Sequence, residues 1–218
     1  MATQHNLRAT KSSGRTNPKL SLVLAGETIF ARDGIENASL REIASAAGQR
    51  NHNAVQYHFG SREGLMQAVF EYRMEQMEHR RALMLADARK DGAALDTRKI
   101  VEIIFLPQLE LIDAQGDHSY AAFLSEYLMR HRGENFGDFG ARLPAFLDQT
   151  IELLRDVMAP MSEATAQRRL ITACFMFLNI LVSYTRNALA KSGESLDEAI
   201  DDTITQIVAA LDVAPPEA

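Results

Sequence analysis

The chain has a single cysteine, no tryptophan and no long apolar run. One cysteine, Cys174, excludes an intrachain disulfide framework and a cysteine-built zinc site, and it fits a reducing cytosol. The longest apolar stretch, Ala173 to Val182, spans ten residues and includes Asn179, whereas a membrane span needs about 20. The N-terminal segment MATQHNLRATKSSGRTNPK lacks the apolar core of a signal peptide. No run of period-two alternation appears, so no strands are expected. A Gly-rich phosphate loop, an HExxH helix and a nucleophile elbow are all missing. Asp113, Asp117, Glu126, His118 and His131 are the best metal or acid–base candidates. Glu126 and His131, however, do not share a helix face, and the Glu-x-x-His pattern of di-iron bundles is absent. The expectation is a soluble cytoplasmic protein with no enzymatic activity, cofactor or metal.

What remains is ordinary globular material. The 218 residues are 46% hydrophobic and 24% charged, enough for one or two domains. A net charge of −6 argues at first against nucleic acid, whose partners are usually basic. The charge is unevenly spread. Residues 1–64 carry eight Lys or Arg against five Asp or Glu, a net of +3, and the remainder carries −9.

Residues 1–17 are polar and without hydrophobic period, and read as a disordered basic arm. Arg8, Lys11, Arg15 and, just beyond, Lys19 suit either a minor groove or a solvated tail. Pro18 can open a helix, and apolar residues at helical spacing carry it to Asp33-Gly34. Ser39-Leu-Arg-Glu42 is a capping-box pattern, opening a short helix from Leu40 to Ala47 that Gly48 ends. A brief helix follows from about Asn51 to Tyr57, then Gly60-Ser61 caps a long one from Arg62 to about Ala88. Further helices are expected near 96–115, 118–131, 141–158, 162–191 and 195–212, with Pro107 kinking the first of these.

Two short helices around a tight turn form a helix-turn-helix pattern. Ile43 and Ala44 pack beneath the second helix, Ala47 permits close approach, and Gly48 turns. Asn51, His52, Asn53 and Gln56 then fall on a helix that can enter a major groove. Asn and Gln can pair with adenine there, and His can bond a base edge. A plain solvated face is the alternative. Arg50 can reach a guanine or a phosphate, and phosphate suits it better.

The block Ala25 to Leu65 resembles the DNA-binding domain of the tetracycline-repressor (TetR) family of bacterial transcription regulators. The resemblance rests on Ile29-Phe30, Gly34, Ser39-Leu-Arg-Glu-Ile-Ala44, Ala47-Gly48, His58-Phe59, Ser61-Arg-Glu and Leu65. Gly48 and His58-Phe59 are one residue further apart than is usual in the family, which moves Gln56 to where Tyr is common. The resemblance implies an all-α fold. An N-terminal three-helix helix-turn-helix domain (18–64) would precede a larger C-terminal helical ligand-binding and dimerisation domain (65–214). It implies phosphate contacts by Tyr57, His58 and Arg62, with His58 equally suited to a structural role. Ser39 caps its helix and can touch phosphate. It also implies a homodimer on a near-palindromic double-stranded operator, acting most simply as a repressor released by a small apolar effector. An all-helical ligand-binding or interaction protein without DNA binding is the alternative.

In the larger domain, Phe105, Leu109, Tyr120, Phe123, Tyr127, Phe146, Thr150, Phe175 and Asn179 combine apolar walls with polar handles, as an effector pocket requires. Plain core is the competing reading. Ile171, Phe177, Leu178, Leu181, Val182, Leu196, Ile200, Ile204, Ile207, Val208 and Leu211 mark the last two helices as a dimer interface or, alternatively, as monomer core.

Overall fold

A computed structural model describes residues 17–90, 95–113, 115–131, 142–185 and 193–214. The basic arm at residues 1–16, with Arg8, Lys11 and Arg15, lies outside the described residues. Those described are helical, with no strand among them. In chain order the helices are α1 (Pro18–Asp33), α2 (Leu40–Ala46), α3 (Ala54–Phe59), α4 (Arg62–Ala88), α5 (Thr97–Phe105), α6 (Ser119–Arg130), α7 (Ala145–Val157), α8 (Glu163–Thr185) and α9 (Leu196–Asp212).

The helix ends follow from local chemistry. Asn17 Oδ1 accepts from the Lys19 amide at 3.0 Å, and Pro18 occupies the first turn, where its missing N–H costs nothing. Ser39 caps α2 by accepting from Glu42 N at 3.3 Å. The expected reciprocal half of that capping box is absent, because the Glu42 carboxylate accepts from Arg32 at 2.7 Å instead. A complete box forms at Ser195 and Glu198, opening α9. Ser61 caps α4 through Gly64 N at 3.1 Å. Pro107 does not kink a long helix. The α-helix stops at Phe105 and tightens into a 3₁₀ segment, Leu106–Glu110, since proline cannot donate to the preceding turn.

One continuous core runs through the molecule. Leu22, Phe30, Ile43, Val55 and Leu65 join α1 to α4 at its N-terminal end, and Phe105, Phe123, Tyr127, Leu170 and Phe177 fill the rest. Residue 64 lies inside α4, so the two units share a helix. They also share α1, which packs on both α4 and α6. Phe30 stacks on Phe123 at 5.9 Å. Glu126 accepts from Ile35 N at 2.6 Å, and Arg130 pairs with Glu36.

The strongest tie is buried. Arg73 Nε and Nη2 donate to the two oxygens of Glu27 at 2.5 and 2.9 Å, and Ser119 Oγ donates to Glu27 Oε1 at 2.8 Å. Glu27 is only 2% exposed, so α1, α4 and α6 meet on one desolvated carboxylate.

The apolar stripe of α9 is monomer core. Ile200, Ile204, Ile207 and Leu211 are buried within the chain, where α9 packs on α5 and α8. The same holds for Phe177, Leu178 and Leu181 of α8. A dimer through these helices must therefore use their other faces.

Removing one partner of a buried pair strands the other charge, at a cost of about 3–5 kcal/mol. Exposed pairs contribute about 1 kcal/mol or less. Arg73→Ala is therefore expected to lower the urea midpoint far more than Arg130→Ala. Equal shifts would show that Glu27 is not held as described.

Candidate nucleic-acid interface

The helix-turn-helix is closed by backbone geometry. Gly48 sits at φ +70°, its N–H donates to Ser45 O at 2.9 Å, and Gln49 N–H donates to Ala44 O at 2.9 Å. This paired arrangement is the Schellman stop of α2. The chain then turns through Arg50–Asn53. Asn51 Oδ1 accepts from Asn53 N at 2.9 Å and shapes that turn.

The second helix begins later than the sequence pattern indicates. Asn51, His52 and Asn53 stand in the turn ahead of α3, with Asn53 at its N-cap. Of the four base-reading candidates, Gln56 alone lies within the helix. All four are exposed, as is Arg50. Ala54 and Val55 are 3% and 1% exposed and press α3 onto the core, which forces the polar residues outward. α3 is regular from Ala54 to Phe59.

Tyr57 is 79% exposed and meets His58 edge to face at 4.9 Å. His58 is half-buried. Lys19 Nζ lies 5.5 Å from the centre of the Phe59 ring, a cation–π contact that ties the start of α1 to the end of α3.

Arg62 has an anchoring position that its place in the sequence did not reveal. Its Nη1 donates to Ile35 O at 2.5 Å and to Ala38 O at 2.7 Å, so it braces the link between α1 and α2. Arg41, which sequence reasoning passed over, is exposed on α2. Helical spacing from the buried pair Ile43 and Ala44 already put it on the outer face. Arg32 is held by Asp33 and Glu42 at 2.6 and 2.7 Å. The hydrogen bond to Asp33, then that to Glu42, raises its pKa further above the ordinary arginine value. Glu63 has a lowered pKa because its carboxylate accepts from its own amide and from Ser61.

The nine effector candidates do not converge. Phe105 lines a cavity of about 40 Å³ bordered by α4, α5, α6, α7 and α8. Tyr120, Phe123 and Tyr127 form a buried ladder beside it, and Tyr127 stacks on Phe70 at 4.4 Å. Thr150 is buried and donates to Phe146 O at 2.6 Å. Phe146 is 40% exposed, and Leu109 is half-buried. Phe175 and Asn179 lie together on an open groove between α1, α6 and α8. The two polar groups that do line the cavity, Arg81 and Gln108, were missed. Among the described residues, no cluster of three metal-ligating side chains occurs, and no helix is long and apolar enough to cross a membrane.

Gly64 makes the closest approach in this unit. A Cβ there would lie 2.0 Å from the Phe59 carbonyl oxygen, whereas one at Gly48 would meet nothing within 4 Å. Gly64→Ala must therefore displace α3, and should lower the melting temperature strongly. Gly48→Ala carries the left-handed strain alone, about 1–2 kcal/mol, and should lower it modestly. Thermal denaturation followed by circular dichroism checks the order.

A family comparison covers the helix-turn-helix. Residues 22–69 match the family model described as bacterial regulatory proteins, tetR family, which covers α1 through the first turns of α4. No curated protein matches the chain. Among solved structures, a transcriptional regulator from Rhodococcus sp. Rha1 aligns at 20% identity and a TM-score of 0.45, covering 92% of this chain and 100% of its own. A TetR-family regulator from Streptomyces coelicolor A3 aligns at 16% identity and a TM-score of 0.45, covering 93% and 99%.

Proposed function

With residues 22–69 carrying the tetR-family helix-turn-helix, we propose that the chain is a ligand-responsive transcriptional repressor that binds a near-palindromic operator as a homodimer. The observation that carries this reading is the outward face of the α3 unit. Asn51, His52, Asn53, Gln56 and Tyr57 are all exposed around a helix fixed by Ala54 and Val55. Asn53 and Gln56 supply bidentate amides for adenine. Arg50, Arg41 and Tyr57 stand where phosphates flank such a helix, with Ser39 at the start of α2 and His58 beside Tyr57. Arg62 contributes by holding the unit's shape.

Two-fold symmetry places two such helices about one DNA turn, ~34 Å, apart. The dimer uses the outer face of α8, where Phe175, Met176, Asn179 and Ile180 are not fully buried. An effector acts by favouring a domain arrangement with the wrong spacing. The ties from α1 to α4 and α6 transmit that change, because Glu27 of α1 is held by Arg73 of α4 and Ser119 of α6.

Selection of genomic fragments by the purified protein, followed by gel shift, tests the reading. Gln56→Ala is expected to change preference at one base pair by ~1–3 kcal/mol. Arg50→Ala should weaken all sequences alike and lower the salt slope by about 1. Absence of salt-dependent binding to any fragment would overturn DNA recognition. Ile180→Glu is expected to give a folded monomer by light scattering, with operator binding lost. A variant that stays dimeric would move the interface elsewhere.

A further inference from the structure

Granting the C-terminal unit an effector, its buried polar groups say which chemistry suits it. Arg81 is 1% exposed and lines the cavity of about 40 Å³. Its contacts are long. Nη1 reaches Met74 O at 3.4 Å and Glu78 Oε1 at 3.3 Å, and Nη2 reaches the Met77 sulfur at 3.5 Å. Nε has no acceptor. Its Nε–Nη2 edge therefore meets no oxygen. On the same helix, Arg73 uses that very edge to grip both oxygens of Glu27. A planar guanidinium fork of this kind matches a carboxylate bidentately.

Gln108 is the second observation. It is 7% exposed, lines the same cavity, and its Oε1 has no partner. Rotation of its terminal amide offers N–H donors to the same place. The remaining wall is apolar, including Phe70, Ile104, Leu124, Leu128 and Ile151. A buried cation so poorly satisfied is usually less stabilising than a hydrophobic side chain of similar volume. Burial also lowers the Arg81 pKa, with Glu78 opposing. Glu78 is itself divided, since its carboxylate accepts from Phe146 N at 2.8 Å and Leu147 N at 3.1 Å at the start of α7.

We propose that the effector is a hydrophobic monocarboxylate, whose carboxylate takes the Nε–Nη2 edge of Arg81 beside Gln108 and whose hydrocarbon lies against the apolar wall. This rests on the effector reading of the C-terminal unit. At about 40 Å³ the cavity has room for water and not for such a molecule, so binding must widen it.

Calorimetric titration of the full-length protein with octanoate, and with 1-octanol as the neutral comparator, tests this. Octanoate is expected to bind at least tenfold more tightly than 1-octanol. Arg81→Met should abolish that advantage while leaving 1-octanol affinity within twofold, and Arg81→Lys should retain part of it. Should Arg81→Met fail to fold, Gln108→Leu provides the second variant, with octanoate weakened severalfold and 1-octanol unchanged. Equal affinities for the two probes, no octanoate binding, or undiminished octanoate binding in the variants would overturn the proposal. So would a crystal grown with octanoate that shows only water between Arg81 and Gln108. Operator binding measured separately keeps the two readings apart. Intact DNA binding without octanoate binding removes the carboxylate site alone, and octanoate binding without DNA binding removes the regulator alone.

Discussion

The buried carboxylate of Glu27 constrains everything around it. A desolvated charge with three hydrogen bonds from Arg73 and Ser119 cannot tolerate separation from those donors, because the low local dielectric makes an unpaired charge far more costly than in water. The helix that begins the DNA-facing unit is thereby bound to two helices of the larger unit. Around this tie lie the Phe30–Phe123 stack and the Glu126 bond to Ile35. The two units are mechanically one where they meet.

Helix α4 extends this logic along its length. Arg62 near its start braces the α1–α2 link, Arg73 holds Glu27, and Arg81 faces the cavity. At 1.5 Å rise per residue, the last two stand about 12 Å apart. About two turns of continuous helix separate the cavity end from the α1 tie. The charge along the sequence is uneven as well. The −6 of the whole chain combines a +3 N-terminal segment with an acidic remainder, and an acidic body repels phosphate. Part of that basic charge is internally spent, since Arg32 is held by Asp33 and Glu42 and Arg62 by carbonyls.

Much of this was legible from residue types. Ser39, Ser61 and Gly48 announced helix ends, and the helical class followed from the absence of alternation. The start of α3 was misplaced by three residues because Asn51, His52 and Asn53 are as acceptable in a turn as in a helix. The buried pair Ala54 and Val55 decides between them. Arg81 left a readable signal, lying on the stripe of Phe70, Met74 and Met77, but a lone arginine on an apolar face is easily taken for one that reaches solvent.

Local periodicity and capping chemistry are properties of neighbouring residues, so the chain order alone carried the helices, the helix-turn-helix and the uneven charge. It could show that Ile200, Ile204 and Ile207 must be buried, but not against what. Packing against α5 and α8 makes them monomer core. Nor could it show that Arg62 meets the carbonyls of Ile35 and Ala38, 27 and 24 residues away, or that Glu27 and Arg73 share a bond across 46. Such partners are chosen by which helix faces happen to meet, and that is settled only when the whole core closes.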